Sequence, residues 1–516
     1  MKTISLLLLL TLSACSVGPD WLAPVADYVP SSWVGAPAPA PDTSSPNGEP
    51  VLDPASDPRP DWWKSFNDPQ LDSLMERAYR GNLDLQQAML RIQEARDTEI
   101  TAAAAGLPQL SAGGSYTRYQ LGLKGAVKGF GGASGSSSGG GFNTGSILNL
   151  LESPFDLYQL SLNASWEIDL FGRVRRAVEA AEADTEATRE MRNDLLVSLQ
   201  AQVGEEYAQL RSAQAQNAIL TDNVKIEKDI LDLTKNQYQR GLTSALDVDQ
   251  AATQLNNTEA QQTQYTQAEQ TSINELNLLL GVAPGTLDQE LTPVKPVLLL
   301  PPDVPLGLPA TLARRRPDIR MAEAQLHEAT AELGVAVADL YPNLTLSGET
   351  GLRSTDFNKL FNWDNNFYQI GPSLSVPIFS GGRLSATVDL DDAKAQEAAL
   401  TYKKTVLGAL TEVENALVAY RNDRARQLSL FAAVESAADG LKLSRERYTH
   451  GLSSFIDVLT TEASLVQAQT QAADATLKVT VDLVTLYRAL GGGWQADPLP
   501  DEDHAADHVF KHLIEQ

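Results

Sequence analysis

The chain has 516 residues, a net charge of −26 and only 6% aromatic residues. So acidic a balance argues against a nucleic-acid partner, because phosphates need a basic face. The single cysteine, Cys15, excludes an internal disulfide and any cysteine-based metal cluster.

At the N-terminus, Lys2 precedes an apolar run from Ile4 to Leu12, then Ser13, Ala14 and Cys15. This is an export signal, too short to span a membrane as a helix. No later stretch offers ~18 consecutive apolar residues, so no transmembrane helix is expected. Residues 15–60 are rich in Pro, Ala, Ser and Asp and read as an extended tether. Residues 61–81 carry Trp62 and Trp63, then Leu71, Leu74 and Ala78 at helical spacing, as for a packed collar. A helix is predicted from Asn82 to Ala105, stopped by Gly106 and Pro108.

The hydrophobic period then changes to two. Leu110, Ala112, Gly114 and Tyr116 alternate with small or polar residues, as do Leu160, Leu162, Ala164, Trp166 and Ile168. Leu344 to Leu352 and Tyr368 to Ile378 repeat the pattern. Four strands of about ten residues suit a tilted membrane-spanning sheet with lipid on one side and water on the other. They also suit a half-buried soluble sheet. The export signal, and aromatics near strand ends such as Tyr119, Phe367 and Phe379, favour the membrane. A low-complexity loop with a Gly/Ser-rich core at 129–141 joins the first two strands.

Each second strand runs into a proline-free helical segment, 173–238 and 383–448, of roughly 100 Å. Each long helix turns at a tip, Tyr238-Gln-Arg-Gly241 and Tyr448-Thr-His-Gly451, and returns over 244–280 and 454–490. The two tips are 210 residues apart, and so are Arg173 and Arg383, and Gly281 and Gly491. This is an internal duplication. A short helix (82–106 or 318–340) laid end to end with a return helix approximates the long one, so each repeat is one long rod beside two short ones. The Pro-rich linker 282–317 is expected to be non-helical and to lie at mid-height beside the tryptophan collar, with the tail 492–516. Four strands cannot close a barrel and an open edge cannot sit in lipid, so the chain must assemble with copies of itself.

Cys15-Ser-Val-Gly-Pro-Asp20, Asp169-Leu-Phe-Gly-Arg173, Arg315-Arg-Pro-Asp-Ile-Arg320, Tyr341-Pro-Asn-Leu344 and the doubled Tyr-x-x-Gly tips resemble the TolC-type outer-membrane efflux proteins. The closest likeness is to the OprM-like lipoprotein branch, and it extends essentially from Cys15 to Gly493. The resemblance implies a homotrimer with a 12-stranded barrel in the outer membrane, a periplasmic helical barrel and an equatorial collar. It implies domains at 1–14 (signal), 15–60 (acylated tether), 61–81 (collar helix), 82–281 and 318–491 (the two repeats). It also implies a passive exit duct for drugs and other small molecules. The duct would be loaded by an inner-membrane RND-type transporter through a periplasmic adaptor docked near Gly241 and Gly451. No enzymatic activity and no cofactor beyond a lipid on Cys15 are expected.

By the same resemblance, Asp457 and Ile456 constrict a gate, and Thr460 stands where relatives place a second aspartate. Tyr448 and Asp247 match residues that tie the hairpins together, whereas Ser453 replaces an arginine of such a link. Asp247 and Asp457 equally fit helix caps, and Gly241 and Gly451 fit turn glycines. His504, His508 and His512 share one face of any helix in the tail, a spacing open to a divalent metal or to no ligand at all. Metal efflux, type I secretion and a structural coiled-coil lipoprotein remain the competing functions.

Overall fold

The computed structural model describes residues 16–24, 28–35, 51–53, 56–120, 154–301 and 303–496. Cys15, the 129–141 stretch, His504, His508 and His512 lie outside them.

After strand β1 (Val51–Asp53) and a 3-10 turn (Trp62–Phe66), the first repeat comprises α1 (Pro69–Gly81), α2 (Leu83–Ala104), β2 (Gln109–Tyr119), β3 (Phe155–Ile168), α3 (Arg173–Gln239) and α4 (Ala245–Leu279). A linker holds α5 (Asp288–Leu291), β4 (Asp303–Pro305) and α6 (Pro309–Arg315). The second repeat is α7 (Pro317–Ala338), β5 (Asn343–Ser354), β6 (Asn366–Ser375), α8 (Arg383–Thr449) and α9 (Phe455–Ala489). Both long helices have 67 residues and both return helices 35. The repeat offset is 234 from β2 to β5 but 210 from α3 to α8. The difference of 24 is the excess of the first interstrand loop, residues 120–154, over the second, residues 355–365.

Strands β2, β3, β5 and β6 form one antiparallel sheet in chain order. Register keeps the apolar set on one face: Leu110 pairs with Ala164, Leu160 with Leu352, and Gly348 with Ile370. The other face carries Ser111, Asn163, Glu349 and Gln369, also directly paired. A slip of one residue would exchange the two faces, so this alternation fixes the register. Polar side chains bond across the second face, with Gln159 Nε2 donating to Glu349 Oε1 at 2.6 Å.

The helices form a single layer. Beside the sheet the order is α2, α3, α7, α8, and towards the tips it is α4, α3, α9, α8. Burial is correspondingly unequal. Thirty residues of α3 are buried, against 12 of the equally long α8. An interior rod is covered on both flanks, whereas α8 is covered on one. Among the described residues, no helix is long and apolar enough to cross a membrane.

The short rods meet end to end, through different chemistry in the two repeats. Asn82 Nδ2 donates to the Leu279 carbonyl at 3.0 Å, joining the start of α2 to the end of α4. Its repeat equivalent, Arg316, donates through Nη1 to the Ala489 carbonyl at 2.8 Å. Each thereby satisfies a helix-terminal carbonyl that has no intrahelical partner. Gly281, at φ 67°, lies against the Gly81 carbonyl so closely that no Cβ fits there.

The collar wraps this junction. Trp62 stacks on Tyr487 at 5.2 Å and meets Trp63 edge-on at 5.9 Å. Phe66, Leu71, Leu291, Val304 and Leu312 join the same core, with Leu199 to Leu210 from the middle of α3. The linker corrects the expectation of a non-helical segment. Pro309 stands at the first position of α6, where its missing N–H costs nothing. Part of the tether is ordered too. β1 pairs in parallel with β4, and Trp33 Nε1 donates to the Gly307 carbonyl at 2.8 Å. Further up, Ser16 lies against Gly172 at the foot of the sheet, and Asp20 pairs with Arg176 at 2.5 Å. The described parts of the segment therefore contact the protein both at the sheet and at the collar.

Trp62→Ala should destabilise the protein by about 3–5 kcal/mol, the range for a buried aromatic truncated in a packed core. Thermal unfolding in detergent would show it as a lowered midpoint.

Candidate functional site: the hairpin tips

Both tips are built alike. The long helix ends in a Schellman motif. Gly241 N–H bonds to the Tyr238 carbonyl and Leu242 N–H to that of Gln237, each at 2.9 Å. Gly451 and Leu452 do the same to Tyr448 and Arg447, at 2.9 and 2.8 Å. Gly241 and Gly451 adopt φ 70° and 71°, a region that only glycine enters without strain. No heavy atom lies within 4 Å of a Cβ added at either, so conformation rather than space demands glycine.

Each return helix then opens with a capping box. Asp247 Oδ2 accepts from the Ser244 N–H at 3.2 Å and its hydroxyl at 3.1 Å, and from the Thr243 hydroxyl. The Thr243 bond leads in holding the Asp247 carboxyl below its usual range against the opposing effect of burial, and the Ser244 N–H and hydroxyl add to the lowering. Asp457 Oδ2 accepts from the Ser454 N–H and hydroxyl, both at 2.9 Å. Each aspartate thus has a structural partner in its own hairpin.

The second tip divides into two faces. Phe455 and Val458 are buried, whereas Ile456, Asp457 and Thr460 are exposed together on the opposite side of α9. The Thr460 hydroxyl is turned back onto the Ile456 carbonyl at 2.7 Å. Tyr448 crosses between the hairpins, but its hydroxyl donates to Gln237 Oε1 at 2.5 Å rather than to Asp247. Its ring leans on Phe455 at 5.6 Å. Burial, and then the nearby Asp247 charge, push the phenol pKa up.

Gln237 and a pair of buried carboxyls escape sequence reasoning. Glu227 on α3 and Glu462 on α9 are 2% and 1% exposed, beside the apolar cluster that joins the hairpins. Glu227 Oε1 accepts from Thr258 at 2.9 Å and Gln254 at 3.1 Å. Glu462 has only Arg445, at 3.5 Å. Burial first, then the charge of Glu227, raise the Glu462 pKa to about 7 against the opposing pull of Arg445. A signal for Glu462 exists in the sequence, where it interrupts the helical stripe Phe455, Val458, Leu465. Among the described residues, no group of three or more His, Cys, Asp and Glu side chains is placed to hold a metal ion.

A four-stranded sheet with one apolar and one polar face, continued by a single layer of 100 Å rods, defines a protomer of a membrane-anchored duct. The family model for outer membrane efflux proteins matches residues 74–282 and 308–492. The chain is 34% identical to the pyoverdine export outer membrane protein OpmQ of Pseudomonas putida, over 84% of this chain and 88% of that one. It is 32% identical to nodulation protein T of Rhizobium leguminosarum bv. trifolii, with the same coverage. The solved structure of the outer-membrane channel OprN superposes with a TM-score of 0.81 at 31% identity, covering 93% of this chain and all of that one. CusC superposes with a TM-score of 0.75 at 26% identity, covering 93% of this chain and all of that one. The chain belongs to the outer membrane efflux protein family. It is an outer-membrane efflux duct whose helices extend into the periplasm.

A carboxyl whose folded pKa is raised contributes stability that is full below its unfolded pKa and lost as pH rises through the folded value. For Glu462 that window runs from about 4.5 to about 7. Glu462→Gln should therefore raise the unfolding midpoint at pH 8 and leave it nearly unchanged at pH 5, as differential scanning calorimetry at the two pH values would record.

Proposed function

We propose that three copies close into one 12-stranded barrel and one helical tube. This tube passes small organic molecules outward without chemistry or cofactor. An inner-membrane RND-type transporter and a periplasmic adaptor deliver them. The observation that carries this reading is the pair of unfinished edges. β2 and β6 each have a free side, and α8 is exposed along its free flank. Unpaired strand backbone is costly in lipid. Related proteins are named for export of pyoverdine, solvents and antibiotics, which supports small organic compounds as the substrate class here.

The gate is assigned to Ile456, Asp457 and Thr460, the exposed face of the second tip. Three copies give one ring of Asp457 carboxylates, with Thr460 adding no second ring. Tyr448 holds the two hairpins of a chain together through Gln237, and Asp247 organises the receiving tip. Leu242 and Leu452, exposed beside Gly241 and Gly451, form the apolar docking surface for the adaptor. Ser16 at the foot of the sheet supports acylation of Cys15, since a lipid on that residue would reach the periplasmic leaflet.

The internal repeat specifies how the ring closes. Asn163 pairs with Glu349 between β3 and β5. Advancing β3 by 210 and moving β5 back by 234 places Ser373 of one copy opposite Ser115 of the next. Ser115→Cys with Ser373→Cys should give disulfide-linked dimers and trimers on non-reducing gels. Monomers alone would reject the ring. For the gate, Asp457→Asn keeps an acceptor for Ser454 and removes only the charge. It should raise resting conductance in planar bilayers severalfold, and an unchanged conductance would remove Asp457 from the gate.

A further inference from the structure

The seam between the two hairpins of one chain has a counterpart that the chain alone leaves open. Within the chain, α3 packs against α9, and Tyr448 reaches Gln237. Advanced by one repeat, this seam becomes α8 against α4, with Tyr238 reaching Arg447. Those two helices lie on opposite flanks of the layer, so they meet only across a boundary between copies. Val434 and Ala437 on α8 and Val248 and Ala252 on α4 rest against the apolar cluster inside the chain and are only half-buried by it, and Tyr238 is 50% exposed.

The chemistry of this second seam differs at two points. Gln237 accepts the Tyr448 proton, but its counterpart is a guanidinium, which has no acceptor. Tyr238 must then accept from the arginine and donate elsewhere. The same operation brings Asp457 of the partner subunit to the place that Asp247 holds near Tyr448. The carboxyls Glu227 and Glu462 are replaced by Ala437 and Ala252, so nothing acidic is buried at those two positions.

We propose that the copies are latched at the periplasmic tips by Tyr238 on Arg447 of the partner subunit, above a zipper of alanine and valine. The latch rests on the trimeric ring argued above and assigns a residue on each side of every boundary between copies. The boundary between copies is then held at the tip by a charge-assisted hydrogen bond from a guanidinium to a phenol. The seam inside each chain is held by a neutral hydrogen bond.

Two long side chains hold their backbones too far apart for a direct disulfide. The full-length protein carrying Tyr238→Cys and Arg447→Cys should instead be treated in membranes with a short bis-maleimide. Cross-linked dimers and trimers are expected, with none from either single variant. Gln237→Cys with Tyr448→Cys should cross-link only within a chain. If the Ser115→Cys, Ser373→Cys protein forms its ladder and the tip pair does not, the latch is wrong and the ring stands. If neither forms, both fall. A second measurement does not depend on cysteine placement. Resting conductance in planar bilayers should rise at least threefold in Tyr238→Phe and in Arg447→Ala, and the double variant should rise no further than either. Increases that multiply in the double variant would overturn the latch.

Discussion

Backbone hydrogen bonding at the sheet edges governs this molecule. Among the described residues, the outer edges of β2 and β6 have no strand partner, and lipid offers none. Charged side chains or a bulge can blunt an edge in water, but only pairing satisfies one in hydrocarbon. The helical layer inherits the constraint, because each of the four strands leads directly into or out of a rod. A sheet that must curve and close thus imposes its circumference on rods that have little apolar surface of their own to choose it.

Closure alone would not hold the rods in register, and the collar answers that need at mid-height. The junctions at Asn82 and Arg316 perform the same task with an amide and a guanidinium. The arginine is the costlier choice. Burial opposes its charge, and Asp318 (2.9 and 2.7 Å) and Glu412 (2.8 Å) outweigh that, leaving its pKa raised. Removing one partner of a buried charge pair leaves the other uncompensated, so the second junction tolerates loss of Asp318 or Glu412 poorly. At the tips the inequality is reversed in kind. The seam inside the chain buries two carboxyls that its counterpart lacks.

Much of this was legible in the residues. A period of two marks the strands, and long stretches free of proline mark the rods. Both 67-residue helices lack proline, and the tip glycines mark their ends. The eight prolines of 282–317 suggest extended chain, whereas Pro309 and Pro317 each open a helix. Strand β6 stops at Ser375, although alternation continues to Ile378, because pairing with β5 ends there. The tips were legible as turns and caps, but the partner of Tyr448 was not. Which of several polar residues a tyrosine reaches depends on the rotation of one helix against another, and a weakly amphipathic rod does not encode that rotation.

The contrast between α3 and α8 has a consequence for heredity as well as architecture. Substitutions on α3 act on a surface completed within one chain, so their effect is independent of how much protein is present. In the proposed ring, substitutions on the free flank of α8 act on a surface completed only by another copy, and their cost scales with protomer concentration by mass action. Two changes of equal severity on helices of equal length would therefore differ in dosage sensitivity. When altered and unaltered chains are made together, the α8 change would spread its defect into mixed assemblies, whereas the α3 change would mostly remove its own chain.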